Sequence, residues 1–285
     1  MRETDWGFGP RLHRSRIAGS WYPGDPNVLV SNMRALVGAC ETEGDASMLI
    51  ALASPHAGLP YSGRVAAFGY RLLQAVSVDT VILVGPSHHV GFDGSSVYPA
   101  GGFETPLGAA AVDEEIAGSL LACCSTLQGS TEPHEREHSL EMQLPFIQVL
   151  APRALIVPIL MGSQRRRFVD DLAAGMVGAV RAASKRILIV ASSDLSHYNT
   201  RLVAARLDGK VLDLLSSFDA DGLMRLLEAN PDHACGGGPM VAVMKAAREL
   251  GASASRVLAY ADSADVTGDE RAVVGYASAA FFRRA

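Results

Sequence analysis

Three apolar stretches of this sequence each run into a short polar loop that contains a histidine. The clearest stretch covers residues 81–84 and is followed by Gly85, Pro86, His88 and His89. A run of this kind, rich in β-branched residues and bounded by turn residues, predicts a strand that is buried on both faces. Ligands of open α/β sheets bind just beyond the carboxyl ends of such strands. The stretch therefore predicts side chains suited to metal binding at the ligand-binding edge of a sheet.

The same pattern occurs twice more in the chain. Residues 49–53 lead into His56, and residues 187–191 lead into Asp194 and His197. One such coincidence is weak. Three in one chain form a site hypothesis, because parallel strands end at the same edge of a sheet.

The first two apolar stretches are separated by an amphipathic pattern over residues 64–75, which predicts a helix. A strand, a helix and a second strand form a β-α-β unit, in which the two strands are parallel. We expect these two strands to be neighbours, so that His56 and His88 open on one edge. Later strands are predicted over residues 257–261 and 273–282, and the last of them alternates less cleanly, which indicates an edge or antiparallel position.

Composition favours one large domain. The chain has 285 residues, of which 48% are hydrophobic and 19% are charged, so it can bury a sizeable core. It contains no internal repeat and no clear linker. We predict a single α/β domain over residues 17–285, with a central mixed, mostly parallel sheet flanked by helices. Residues 1–16 are predicted to form a loose N-terminal arm.

Charge and hydropathy exclude several classes of partner. A net charge of −5 argues against a nucleic-acid or anionic-membrane partner. No apolar run approaches the roughly 20 residues that span a bilayer, and no signal peptide is recognisable. Four cysteines in a chain of this length do not form a disulfide framework, so we expect a reduced, cytoplasmic protein.

The loop histidines predict a metal site assembled from scattered ligands. The candidates are His56, His88 and one anionic partner, either Cys235 or Asp194. Two imidazoles and a carboxylate with open positions suit non-haem Fe(II), whereas a thiolate shifts the preference towards Zn, Fe or Cu. Cys235 precedes a predicted helix over residues 240–250, whose dipole should lower the thiol pKa. The alternative is that each of these residues has an ordinary structural role.

Asp194 and His197 share one loop, three residues apart. A histidine beside a carboxylate is a suitable general acid–base group, because its pKa lies near the operating pH. The alternative for Asp194 is that it caps the following turn.

The charged stretch before residue 144 adds His138 and Glu141. These two side chains could support a metal ligand from behind, or they could be solvated on the surface of a helix. Among the aromatic residues, Trp21 and Tyr61 are candidates for the wall of a pocket, although Trp21 could equally pack against the domain.

Not every histidine is expected in the site. His89 directly follows His88, and adjacent side chains point apart, so only one of the two should face a given ligand. His13 and His134 are expected at the surface.

Six motifs carry a resemblance to a known family. In chain order they are AGSWYPGD, PHAGLPYSG, VGPSHH, EHSLEMQLPF, SSDLSH and HACGGGP. Over residues 17–282 the sequence resembles the Memo-like family, which in bacteria and archaea is protein B of the AmmeMemoRadiSam set. That family is similar in fold to class III extradiol ring-cleavage dioxygenases, the LigB-like group, which implies a central mixed sheet flanked by helices.

The resemblance also implies roles for five residues. It places His56, His88 and Cys235 at the metal-binding positions, and Asp194 and His197 in the same pocket, with His197 as the acid–base histidine. The dioxygenases proper use a carboxylate as their third ligand, whereas a cysteine stands in that role here. The resemblance therefore implies metal binding more directly than it implies ring cleavage. Asp194 is the alternative to Cys235 as the third ligand.

The implied function is that of a metal-binding protein with a mononuclear non-haem site, in which Fe(II) is preferred and Cu or Zn are alternatives. As an enzyme it would be a dioxygenase-type oxidoreductase acting on a small molecule. The alternatives are a non-catalytic metal- or ligand-binding module, as in eukaryotic members associated with signalling, and a metal-dependent hydrolase. The resemblance also implies a functional link to a radical-SAM protein and an AMMECR-type protein.

Overall fold

Strands and helices alternate along most of the chain, whose computed structural model describes Phe8 and residues 11–41 and 46–283. The strands in these ranges are β1 (Leu12–His13), β2 (Leu49–Ser54), β3 (Thr80–Pro86), β4 (Ser95–Val97), β5 (Gly102–Thr105), β6 (Gly108–Ala111), β7 (Leu127–Gly129), β8 (Leu155–Met161), β9 (Ile187–Ser192), β10 (His197–Asn199), β11 (Ala254–Asp262) and β12 (Val273–Phe282). The α-helices are α1 (Pro26–Gly38), α2 (Leu59–Tyr70), α3 (Glu114–Cys123), α4 (Leu144–Leu150), α5 (Arg166–Ala182), α6 (Arg201–Ser216), α7 (Ala220–Ala229), α8 (Gly237–Glu249) and α9 (Ala264–Thr267).

A mixed nine-stranded sheet occupies the centre of the described chain. Its order is β10-β12-β2-β9-β3-β8-β4-β7, and β11 also pairs with β12. The four central strands β2, β9, β3 and β8 are parallel, while β12 and β4 run antiparallel to them on the two flanks. The predicted fold class, an α/β domain with a mixed sheet flanked by helices, is confirmed.

The expected pairing of the first two strands is wrong in one respect. β2 and β3 are parallel, but β9 lies between them and pairs with both. A β-α-β crossover determines that its strands are parallel and leaves room for a third strand between them. The third strand comes from more than a hundred residues further along the chain, so no local pattern indicates it. The consequence is that the loops after β2, β9 and β3 emerge side by side.

The central strands are buried on both faces because helices cover both sides of the sheet. Ile82 and Val84 contribute to a core with residues of α3, α5, α7 and α8. Val81 and Leu83 contribute to the opposite core with residues of α1, α2 and α4. This two-sided burial explains why the strand over residues 81–84 is an unbroken apolar run instead of an alternating one. Among the described residues, no helix is long and apolar enough to cross a membrane.

The described part of the N-terminal arm is packed against the domain. β1 pairs with β5, which forms a small three-stranded sheet together with β6. His13 stacks on Phe103 with ring centroids 4.4 Å apart, and its Nε2 lies 2.6 Å from the carbonyl oxygen of His134. The loose arm expected over residues 1–16 is therefore wrong for residues 11–16, and residues 1–7, 9 and 10 lie outside the described ranges.

His13 and His134 are buried, which corrects their expected surface position. Their exposed fractions are 6% and 1%. Their aromatic neighbours are Tyr98, which follows β4, and Phe103 in β5, and neither lies near His13 or His134 in the sequence. His134 places Nε2 3.2 Å from the carbonyl oxygen of Ser96, and its buried Nδ1 has no hydrogen-bond partner among the described residues.

We predict that His134 makes folding sensitive to acid. Burial lowers the pKa of His134 to about 3. The unfolded chain takes up this proton near pH 6.5. The free energy of unfolding should therefore fall as pH drops from that value towards 3, by up to about 1.4 kcal/mol per pH unit for this proton. In His134→Gln the fall between about pH 7 and about pH 5 should be smaller by this contribution, as measured by urea unfolding at both pH values.

The control for this prediction is His89→Gln, because His89 is exposed. It should leave the pH dependence of unfolding unchanged. An equal pH dependence in wild type and His134→Gln would contradict the prediction.

Candidate metal centre

Three imidazoles converge at the edge of the sheet where the parallel strands end. His56 follows β2, His88 follows β3, and His138 lies in the segment that precedes α4. Their candidate ligand atoms all lie within 4.8 Å of one another. This spacing is compatible with three ligands around one metal ion, whose bonds to imidazole nitrogen are roughly 2.0–2.1 Å for zinc.

The hydrogen bonds of His56 determine which of its nitrogens can bind a metal. Ser192 donates its single hydroxyl proton to the carbonyl oxygen of Ser139 at 2.6 Å, and it accepts from Gln143 Nε2 at 2.8 Å. Its remaining contact, with His56 Nδ1 at 2.9 Å, is therefore one in which Nδ1 donates. The proton lies on Nδ1, and the lone pair of His56 lies on Nε2. Burial, together with the neighbouring His88 and His138, lowers the pKa of His56 well below its usual value.

His88 is oriented by a buried carboxylate. Glu137 accepts from His88 Nδ1 at 2.8 Å and from the backbone amide of His88 at 2.6 Å. It also accepts from the amides of His138 and Ser139. Burial alone would raise the pKa of Glu137, but the interactions with His88 and the amide of Ser139 hold it well below the usual range. The arrangement leaves Nε2 of His88 for a metal, as in the carboxylate–histidine–metal arrangement of many sites.

His138 contacts two aromatic rings. It stacks on His88 with centroids 4.8 Å apart and an interplanar angle of 15°, and the centroid of the Trp21 ring, tilted by 55°, lies 4.6 Å from that of His138. Its ring meets His56 edge to face at 5.7 Å. Burial lowers the pKa of His138 to about 4. His138 is thus a neutral imidazole at neutral pH and a candidate ligand in its own right.

Cys235 lies beside the three imidazoles. Its Sγ is 3.3 Å from His56 Nε2 and 3.6 Å from the carbonyl oxygen of Asp194. Gly236 allows this approach, since a Cβ there would lie 2.5 Å from the carbonyl oxygen of Ser192. Burial and the charge of Asp194 raise the pKa of the Cys235 thiol. The prediction that the helix dipole lowers the pKa of Cys235 is wrong, because burial disfavours the thiolate more strongly than the start of α8 favours it.

Asp194 and His197 border the same group. Asp194 Oδ1 accepts from the backbone amides of His56 and Ala57, so it anchors the loop that carries His56. Burial raises the pKa of Asp194 to about 7, although these two hydrogen bonds oppose the shift. His197 donates from Nδ1 to the carbonyl oxygen of Leu195 at 2.8 Å, which leaves its Nε2 as a proton acceptor. Burial lowers the pKa of His197.

The sequence matches the family described as Memo-like protein over residues 13–280. The chain belongs to the Memo-like family. The predicted resemblance is thereby confirmed for nearly the whole chain.

Several archaeal members of the Memo-like family are similar along most of their length. A MEMO1 family protein of Methanobrevibacter smithii is 35% identical over 280 residues, which cover 95% of this chain and 99% of that protein. MEMO1 family protein TV1383 of Thermoplasma volcanium is 33% identical, covering 94% of this chain and 97% of its own. A MEMO1 family protein of Methanosarcina acetivorans is 39% identical, covering 79% and 82%. Among solved structures, uncharacterized protein JW3007 of Escherichia coli K12 aligns at 13% identity with a TM-score of 0.48, over 81% of this chain and 99% of its own.

In this Memo-like chain, His138 and Glu141 do not lie behind a metal ligand as predicted. His138, predicted behind a ligand, belongs to the three-imidazole group itself. Glu141, which is one turn further on, accepts hydrogen bonds from the N-terminal segment at Ser15 and Arg16. His89 is exposed and lies edge to face with His138 at 6.0 Å.

Of the predicted aromatic wall, Trp21 contacts the imidazole group directly through His138. Tyr61, in the first turn of α2, has an exposed fraction of 42%. Its role in a pocket stays a prediction.

The sequence reasoning missed Glu137, Ser192 and Gln143, which orient His88 and His56. Glu137 directly precedes His138, and a carboxylate beside a candidate histidine is a signal that could have identified it. Ser192 and Gln143 carry no such signal, because their contacts join segments far apart in the chain: Ser192 contacts His56, and Gln143 donates to Ser192 and to the carbonyl oxygen of Pro55.

We predict that Glu137→Gln weakens metal binding by the Memo-like protein roughly 10- to 100-fold. In either orientation the amide sets a donor against an N–H group of His88, because one carboxylate oxygen accepts from its ring and the other from its backbone amide, so the ring of His88 is held less firmly. Isothermal titration of the metal-free protein with Zn(II) measures the change. Glu135→Gln, at an exposed position two residues earlier, is the matched control and should bind like wild type. Equal affinities of Glu137→Gln and wild type would contradict the assignment.

Proposed function

We propose that this Memo-like protein is a metal-dependent oxidoreductase with a mononuclear non-haem site formed by His56, His88 and His138. Cys235 is the adjacent fourth candidate ligand. The observation that carries the proposal is the three-imidazole group, in which hydrogen bonds at Nδ1 of His56 and His88 leave Nε2 for a metal. Fe(II) is the preferred ion in this proposal, and Cu and Zn are the alternatives.

The donor set supports a transition metal over magnesium or calcium. Imidazole nitrogen suits Zn, Cu, Fe and Ni, and thiolate suits softer ions, whereas the hard cations take oxygen ligands. Burial keeps His56 and His138 neutral at neutral pH, so a metal ion does not have to displace a proton from either ring. The preference for iron rests on the resemblance to the extradiol dioxygenases.

A bound redox metal would supply Lewis acidity and electron transfer at this edge of the sheet. The protein would supply the binding of a small-molecule substrate and the movement of protons. His197 is neutral with an acceptor Nε2, so it can take a proton from a substrate hydroxyl group. Asp194, whose pKa is raised to about 7, holds the loop of His56 in place during this transfer.

The first test is metal content. We expect anaerobically purified protein to contain nearly one iron per chain by elemental analysis. His56→Ala, His88→Ala and His138→Ala should each lose most of it, because each removes a nitrogen ligand. His89→Ala is the matched control, since His89 is exposed and lies outside the three-imidazole group. Absence of metal in wild type, even after reconstitution with Fe(II), would overturn the proposal and leave a non-catalytic binding module.

The second test separates metal binding from proton transfer. His197→Ala should retain metal but lose at least about 100-fold in oxygen consumption with an accepted substrate, because general acid–base catalysis contributes typically 10²–10⁴-fold. The substrate comes from a screen of catechols and related bidentate small molecules with an oxygen electrode. Full activity in the metal-loaded variant would contradict the role of His197, and loss of metal would identify it as a ligand.

A metal-dependent hydrolase is the second candidate, and the three-imidazole group favours it directly. Three histidines and an open position hold zinc in a class of catalytic zinc sites. In this case purified protein would contain zinc, and turnover would not depend on oxygen. Stoichiometric zinc with oxygen-independent hydrolysis would replace the oxidoreductase assignment.

A further inference from the structure

Residues 11–22, here termed the N-terminal strap, cross the rim of the metal centre. At one end β1 pairs with β5, and Tyr98 donates its hydroxyl to the carbonyl oxygen of Arg11 at 3.1 Å. Arg14 forms an ion pair with Glu104 at 3.0 Å, which is exposed and contributes little. The strap is therefore tied to the β5–β6 hairpin before it reaches the three imidazoles.

One buried carboxylate holds the middle of the strap. Glu141, with an exposed fraction of 1%, accepts from Ser15 Oγ at 2.6 Å, the amide of Arg16 at 2.9 Å and Tyr22 Oη at 2.6 Å. The amide of Ile17 is a longer donor at 3.4 Å. Several hydrogen bonds to one buried carboxyl group restrain the segment that donates them, because a buried carboxyl group left without donors is costly. These donors come from the strap and converge on Glu141.

A tight turn then directs the end of the strap onto the metal centre. The amide of Gly19, at a φ of +80° that favours glycine, donates to the carbonyl oxygen of Tyr22 at 2.8 Å. The turn places the ring of Trp21 on His138, 4.6 Å between centroids. The carbonyl oxygen of Trp21 accepts from the amide of Leu59 at 2.8 Å, at the start of α2.

The strap thus contacts two of the three segments that supply candidate ligands. Through Leu59 it touches the segment that follows His56, and through Trp21 it contacts the ring of His138. His138 in turn stacks on His88. Without the strap, His138 would lose the contact that confines its ring from one side.

We propose that the N-terminal strap is a latched lid, which holds His138 in its ligand position when it is docked on Glu141. When the strap is undocked, the centre keeps His56 and His88 but not a positioned third imidazole, so metal is bound weakly. Glu141 is in this view a positioning residue that acts through the strap. The inference rests on the proposed function in one respect, which is that His138 is a metal ligand.

The test removes the donors from the strap side and leaves Glu141 in the domain. The variant Ser15→Ala/Tyr22→Phe deletes both hydroxyl donors to Glu141 and keeps an aromatic ring of the same shape at position 22 of the core. Glu141→Gln is the second variant, in case the first one retains a docked strap through the amide of Arg16. Ser20→Ala is the matched control, because its hydroxyl donates to the carbonyl oxygen of Ile17, within the strap itself, and to no other described residue. Circular dichroism and the unfolding midpoint verify that each variant is folded.

Docking of the strap is measured without metal. Trypsin cleaves after arginine, and the strap carries Arg11, Arg14 and Arg16. The rate of cleavage at these positions, followed by mass spectrometry, should rise about tenfold or more in the variant, since cleavage tracks the population of the open form. The chain has two tryptophans, so in a Trp6→Phe background the emission of Trp21 alone should shift to longer wavelength in the variant. Unchanged cleavage in both variants would overturn the latch.

The effect of the strap on metal affinity is measured by titration with Zn(II) in competition with a chelator. We expect about tenfold weaker binding in the variant and wild-type binding in Ser20→Ala, comparable with the loss of an outer-shell partner. Faster cleavage with unchanged affinity would overturn the inference while leaving the proposed metal site intact. Absence of metal binding in wild type would overturn both the proposed function and the role of the lid, whereas the cleavage rates would still report whether Glu141 latches the strap.

Discussion

The candidate metal centre depends on the hydroxyl group of Ser192 at the end of β9. This group donates to the carbonyl oxygen of Ser139 and accepts from Gln143 and His56. It joins the loop after β2 to the segment before α4, and it determines that the lone pair of His56 lies on Nε2. The hydroxyl can do this only because β9 lies between β2 and β3 in the sheet. Ligand geometry therefore follows directly from strand order.

Two glutamates on one short segment organise the surroundings of the centre in different ways. Glu137 accepts from the ring and the amide of His88 and orients a candidate ligand. Glu141 accepts from Ser15 and Tyr22 and ties down the segment that carries an aromatic cover. Both carboxylates are buried, at 3% and 1% exposed, so each depends on its donors. One glutamate thus orients a candidate ligand, and the other, three residues beyond His138, holds the strap over the site.

Part of the centre could be predicted from sequence because strand ends have a local signature. His56 and His88 follow apolar runs, and a polar loop after a buried strand predicts a ligand-binding edge. His138 follows no strand, and the stretch around it has the charge of a solvated helix, so its membership of the group was not predicted. The pKa of Cys235 was predicted in the wrong direction, because the helix dipole can be read from sequence whereas burial cannot.

The sequence by itself determined the α/β class, the apolar strands and two of the three clustered imidazoles. It did so because hydrophobic periodicity and strand-end chemistry are local properties of the chain. Only the tertiary structure decided that β9 separates β2 from β3, that His138 completes the group and that Glu141 holds the N-terminal strap. These features depend on contacts between segments far apart in the chain, and such pairing is decided by the packing of the whole domain.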